Sequence, residues 1–314
     1  MYHPYFRGKQ YELIAIKEEA TVLSKAGFCP IIEPVRESLG ALRRALDAII
    51  EADGGAIVII NPHHGDLANH GDAVSELLEE SYLDLPNISA GILLKPATTV
   101  DQAIERYEGH RSHSPVFIHA GFNKAKRFAA AMAQRSNEQR HIFLDDFSGK
   151  LYQRHFKGAH RVLVKDGFER KRNADYDPVQ HFSDLHATFA DEGMDGFGDF
   201  LIVGDDFSET GGPAYAVAIH LTFIDSDQDE SMQIYHFVSD SKDTPKDPAG
   251  KFSQALKKMI LELDAPSSKI LESTAVAEFR SLHRLGHFPG LGYVKKLSMK
   301  HHIETMADYF STAV

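Results

Sequence analysis

Glu33, Lys95, His119 and Asp145 each close a short apolar run of this sequence. A carboxylate, an ammonium and an imidazole gathered at one point are a minimal set for moving protons. In that arrangement His119 and Glu33 take the acid–base roles, Lys9 and Lys95 stabilise developing negative charge, and Asp145 lines the mouth with them. Arg7, Lys9, Asn61, His63, Lys165 and Asp205 fall at or just beyond the ends of other runs and are the candidates for holding a ligand. Lys9 and Lys95 suit a phosphate or carboxylate, so the expected ligand is small and anionic. The acids Asp145-Asp146, Asp205-Asp206 and Glu33 could bind a divalent cation through hard oxygen ligands, with His63 and His119 as nitrogen donors.

Other chemistries lack their motifs. There is no Gly-x-x-x-x-Gly-Lys-Ser/Thr phosphate loop, no His-Glu-x-x-His and no Gly-x-Ser-x-Gly elbow. The segment His63-His-Gly-Asp-Leu-Ala-Asn-His70-Gly-Asp72 has the residue types of a metal phosphoesterase loop but no Asp-x-His upstream of it. It reads as a polar loop. His110 and His113, before a strand, and His301 and His302, beside an apolar stripe, read as structural. The single cysteine, Cys29, excludes an internal disulfide and a multi-cysteine zinc site, and its apolar neighbours predict a buried thiol.

The elements that must position these residues appear as alternating apolar runs and helical stripes. Strand-like runs fall at residues 4–7, 28–34, 56–61, 90–95, 116–119, 141–145, 161–165 and 200–204. They are short and unbroken, as in parallel strands buried on both faces. Leu13, Ile16, Ala20 and Leu23 form one helical stripe, and Leu42, Leu46, Ile49 and Ile50 another. Further helices are predicted after Thr98-Thr99 and over 73–80, 122–134 and 181–192. Strand and helix in strict alternation predict right-handed βαβ units. Eight of them predict a (β/α)8 TIM-barrel-like fold, with a doubly wound open sheet as the rival. Sites in such barrels sit at the C-terminal strand ends, where all ten candidates lie or are expected to lie.

After the eighth run, residues 215–224 and 233–238 alternate around an acidic turn and predict an antiparallel hairpin. Phe252, Leu256, Met259, Ile260 and Leu263 read as the eighth barrel helix, followed by helices near 268–285 and 294–310. The expected division is a barrel over 1–265, with a hairpin insertion at 214–238, and a C-terminal helical extension over 266–314. The chain has 314 residues and a formal net charge of −11, which disfavours non-specific nucleic-acid binding. No apolar run is long enough to span a membrane. The first residues lack an apolar leader segment, so a cytoplasmic location is expected.

The opening Pro4-Tyr-Phe-Arg-Gly-Lys-Gln-Tyr-Glu12 leads into a helix, and Pro30-Ile-Ile-Glu33 ends the second strand. With Gly290-Leu-Gly-Tyr-Val-Lys-Lys-Leu-Ser and His301-His302, these segments resemble the bacterial and phage "beta protein" family. The resemblance implies a barrel-like fold and a setting in mobile or defence-type gene clusters, sometimes beside a nuclease-like protein. It carries over no catalytic residue. The first reading is therefore an enzyme, a barrel whose polar, ligand-binding mouth acts on a small anionic or phosphorylated ligand. The alternative is a non-catalytic barrel that binds and regulates a protein partner, such as a nuclease-like or toxin neighbour, through the hairpin and helical tail. A nuclease in its own right ranks third.

Overall fold

The computed structural model describes residues 1–68, 71–83, 85–134, 139–209 and 212–312. They form two compact units: Met1–Asp166 with Thr188–Phe200, and Gly167–Ala187 with Leu201–Val314.

The first unit is a nearly closed, all-parallel eight-stranded barrel. Its strands are β1 (Tyr5–Phe6), β2 (Ile31–Ile32), β3 (Ala56–Ile59), β4 (Ile88–Leu94), β5 (Val116–His119), β6 (Arg140–Leu144), β7 (His160–Val164) and β9 (Gly196–Gly198), hydrogen-bonded in that order. Between them run α1 (Gln10–Glu18) and α2 (Ala20–Lys25), α3 (Gly40–Glu51), α4 (Asp72–Ser81), α5 (Val100–Gly109), α6 (Ala125–Ala131) and the short α7 (Lys150–Gln153). The stop at Gly27 and the start at Thr99 follow the sequence signals. Thr99 forms a capping box with Gln102, each side chain accepting from the other residue's backbone N–H.

Side chains alternate along each strand between the interior and the helical layer. Tyr5, Ile31, Ile57, Ile59, Leu93, Val116, Ile118, Ile142, Leu144, Val162 and Val164 pack into one interior cluster. Phe6, Phe117 and Phe143 occupy the intervening positions and are likewise buried.

The eighth strand is not the expected run at 200–204. Phe200 is irregular, residues 201–203 form a turn, and Leu201 has a φ of 51°. The barrel closes instead through Gly196-Phe-Gly198. Phe197 N donates to the Met1 carbonyl (3.0 Å), His3 N donates to the Phe197 carbonyl (2.8 Å), and Tyr5 N donates to the Asp199 carbonyl (2.8 Å). A Cβ at position 198 would lie 2.2 Å from the His3 carbonyl oxygen, so this approach requires glycine. The strand was invisible to a search for apolar runs because closure selects against side chains there.

The second unit carries β8 (Val179–Ser183), the short α8 (Leu185–Thr188, whose last residue belongs to the barrel unit), β10 (Ala218–Asp225), β11 (Ser231–Val238), α9 (Pro248–Leu263), α10 (Thr274–Leu285) and α11 (Leu291–Thr312). The expected hairpin is present as β10 and β11, but β8 pairs with β11 to make a three-stranded antiparallel sheet. The helix expected over 181–192 is thus a strand up to Ser183, with helix only over Leu185–Thr188. The stripe Phe252, Leu256, Met259 and Leu263 packs with Ile219, Leu221 and Phe223 of β10 and with Phe279 and Leu297. It is part of this core and not an eighth barrel helix. Contacts therefore cluster along a different division from 265/266: the hairpin and the C-terminal helices share one unit. Among the described residues, no helix is long and apolar enough to cross a membrane.

Candidate functional site

At the C-terminal ends of β1 to β3, alternation turns Arg7 and Glu33 to the same side as Tyr5 and Ile31. Glu33 is fully buried. Its Oε1 accepts from His63 N (2.8 Å) and His64 N (3.1 Å) and lies 3.0 Å from His64 Nδ1. Its Oε2 accepts from Tyr5 OH (3.0 Å) and from the Arg7 guanidinium. The guanidinium carbon lies 4.9 Å from the centre of the Tyr5 ring and 5.3 Å from that of Phe200, a cation–π contact with two adjoining rings. Burial by itself would raise the Glu33 pKa. The His64 hydrogen bond, the Arg7 charge and the His63 backbone donor outweigh it and hold the carboxyl well below the usual carboxylate range. Glu33 is a permanent anion with its oxygens occupied, so it organises the mouth and is not a general acid or base.

The loop after β3 reaches Glu33 because of Gly65, whose φ is 69°. A Cβ there would fall 2.1 Å from the Val35 carbonyl oxygen, so only glycine lets this loop lie against the β2 loop. Asn61 locks the base of the loop: its Oδ1 accepts from Leu93 N and its Nδ2 donates to the Leu93 carbonyl, both at 2.8 Å. It extends the β3–β4 ladder and is a positioning residue.

Beside this cluster a cleft of about 490 Å³ runs between the β3–α4 and β4–α5 connections, lined by His63, Lys95, Asp72, Arg106, Gln102 and His110 among others. Lys95 follows β4, and its ammonium lies 5.8 Å from the centre of the Phe147 ring. Thr98 holds the loop, its hydroxyl accepting from Lys95 N (3.1 Å). Burial, and then the Lys95 charge, lower the pKa of His63. His110, expected at the opposite end of the barrel, instead lines this cleft, with its ring nitrogens within reach of the Arg106 carbonyl (2.9 Å) and Ser75 Oγ (3.0 Å).

Beyond Arg7 and Glu33, five candidates do not line this cleft. His119 points away from the interior, because Val116 and Ile118 take the inward positions of β5. Its ring is sealed among Phe143, Phe156, His141 and Tyr152. Gln139 Oε1 can only accept, so His141 donates from Nε2 (3.0 Å). His141 Nδ1 then accepts from His119 Nε2 (2.9 Å), and His119 Nδ1 accepts from Tyr152 OH (2.5 Å). Both rings are neutral: burial pushes the pKa of His141 down to about 3, and burial with the neighbouring His141 lowers that of His119. Asp145 begins an exposed 3-10 turn, and Lys165 is exposed just after β7. Asp205 lies in the second unit, since the eighth barrel strand ends at Gly198. Lys9 is the N-cap of α1, its carbonyl accepting from Leu13 N.

Reasoning from the sequence missed three residues. Tyr5 lies two positions before Arg7 on the same strand face, a signal that was available. Arg106 reaches the cleft from α5, one turn beyond Gln102. Asp199 follows the glycine strand and accepts from Tyr2 OH (2.8 Å). Of the histidine segment 63–72, His70 lies outside the described residues. Among the described residues, no three His, Cys, Asp or Glu side chains gather to hold a metal ion. No family model, curated protein or solved structure matches this chain.

Proposed function

We propose that the barrel is a binding protein for a small anionic, phosphorylated ligand, received in the cleft between the β3–α4 and β4–α5 connections. The observation that carries this reading is the charge of the cleft. Lys95 and Arg106 line it against the single carboxylate of Asp72, with His63 beside them. Glu33 is outside the cleft lining, its oxygens engaged by Arg7, Tyr5, His63 and His64. Binding is favoured over acid–base chemistry, since Glu33 is held ionised and His119 is enclosed in the outer layer. Titration calorimetry with inorganic phosphate and phenyl phosphate tests this. Lys95→Ala or Arg106→Ala should each weaken binding about ten- to hundredfold, the usual worth of a hydrogen bond to a charged group. No heat with either probe, or unchanged affinity in both variants, would sink the reading. A mobile-element or phage-defence setting accompanies it through the "beta protein" resemblance at residues 4–12, 30–33 and 290–302, and a cytoplasmic location through the expectation from the N-terminal residues.

A second reading, a barrel that binds and regulates a protein partner, is favoured by the C-terminal helices. Leu261 on α9 is 65% exposed and Leu285 on α10 is 74% exposed. Paired Leu261→Asp and Leu285→Asp changes should release a co-purifying partner, and a partner retained by the double variant counts against this surface.

A further inference from the structure

At the opposite, N-terminal end of the strands, a cavity of about 340 Å³ opens into the barrel. Ile57, Val116, Ile142 and Val162 of the interior cluster form its apolar wall. That volume is typical of small-molecule sites.

His3, Arg140, His141 and His160 line it, with the exposed Asp53 at its rim; His3 and Arg140 carry polar atoms that a ligand can satisfy. His3 is only 5% exposed, and its Nδ1 faces the Cys29 carbonyl at 2.9 Å. A carbonyl only accepts, so Nδ1 carries the proton. Burial above all drives the pKa of His3 down to about 3, so the ring is neutral. Its Nε2 is therefore an acceptor, buried and without a hydrogen-bond partner. Arg140, the first residue of β6, donates from Nη2 to Ser89 Oγ (2.7 Å) and to the Ser114 carbonyl. No carboxylate among the described residues pairs with it, and its charge acts on both His3 and Cys29. An enclosed acceptor without a donor, beside a largely buried cation without an anion, is the complement of a ligand.

We propose that this cavity binds a small amphipathic monocarboxylate bearing a hydroxyl group. The apolar body lies along Ile57, Val116, Ile142 and Val162, the carboxylate meets Arg140, and the hydroxyl donates to His3 Nε2. One permanent cation and an apolar wall match a monoanion with a hydrocarbon body better than a phosphate. This site is independent of the mouth.

Calorimetry on the full chain with octanoate, 3-hydroxyoctanoate, octan-1-ol and octylamine tests the assignment. Cys29 also lines the cavity, and burial pushes its thiol up to about 12. Its modification by methyl methanethiosulfonate, run at about pH 9 to draw on the thiolate and followed by mass spectrometry, reports occupancy at this place. Octanoate should bind and slow Cys29 modification, octylamine should do neither, and 3-hydroxyoctanoate should bind more tightly than octanoate. Arg140→Gln should weaken octanoate about ten- to hundredfold and leave octan-1-ol unchanged. His3→Phe should remove the preference for the hydroxylated acid. The assignment is overturned by equal binding of octanoate and octylamine, by binding without protection of Cys29, or by no binding of any probe. Binding lost in Lys95→Ala but kept in Arg140→Gln would place the carboxylate at the mouth and also overturn it. If Arg140→Gln does not fold, the octanoate and octylamine comparison on the native chain decides alone.

Discussion

Replacing Glu33 with Gln would leave the buried Arg7 guanidinium without its anion and weaken the acceptor shared by His63 and His64. Breaking a buried ion pair from one side costs about 3–5 kcal/mol, so Glu33→Gln should lower the urea midpoint sharply. A variant as stable as the parent would show that the Arg7 and Glu33 pair is dispensable. The Tyr152, His119, His141 and Gln139 chain makes a smaller prediction. Tyr152→Phe strips the donor from a buried His119 Nδ1, and an unsatisfied buried acceptor costs about 1–3 kcal/mol. The loss should appear in denaturation and not in phosphate binding, because this chain lies in the outer layer. Glu33 and Arg7 were visible in the sequence as strand-end charges. Their roles were not, since the donors to Glu33 come from residues 26 and 28 positions before it and 30 and 31 positions after it.

At the scale of elements, the loop after β3 depends on the left-handed conformation of Gly65. Gly65→Ala adds a Cβ at a positive φ and against the Val35 carbonyl, which destabilises by more than the roughly 1 kcal/mol at stake where the backbone is compatible. It should also pull His63 and His64 from Glu33 and weaken phosphate binding, so calorimetry and denaturation should move together. Seven of the eight barrel strands were legible because each is a local apolar run flanked by helical periodicity. The eighth was not: Gly196-Phe-Gly198 has almost no apolar signal, and the decoy at 200–204 does. Val116-Phe117-Ile118-His119 shows the other limit. Both faces of that strand are buried, so no alternation in the sequence says which way His119 points.

For the whole molecule, the neutral buried histidines predict acid lability. Burial above all puts the pKa of His3 and His141, in the barrel unit, at about 3. His236 and His301, in the second unit, lie at about 4 for the same leading reason. The unfolded chain binds these protons near pH 6.5 and the folded chain does not, so stability is complete above about pH 6.5 and falls as pH drops. Each group loses about 1.4 kcal/mol per pH unit, hence about 3 kcal/mol for each unit of the structure at pH 5.5. That is a large share of a typical 5–15 kcal/mol. The Glu33 contribution is lost only below about pH 4.5, so it adds a later acid step. Urea midpoints at pH 7.5 and 5.5 check this, and an unchanged midpoint contradicts it. The sequence by itself determined the strand–helix rhythm, the parallel α/β class and the end of each strand where charge collects, because periodicity and capping are local properties. Only the tertiary structure decided which charges meet, that the hairpin belongs with the C-terminal helices, and that a cavity opens beneath the barrel. Those outcomes depend on strand parity, on glycine-permitted backbone contacts and on pairings between residues far apart in the chain.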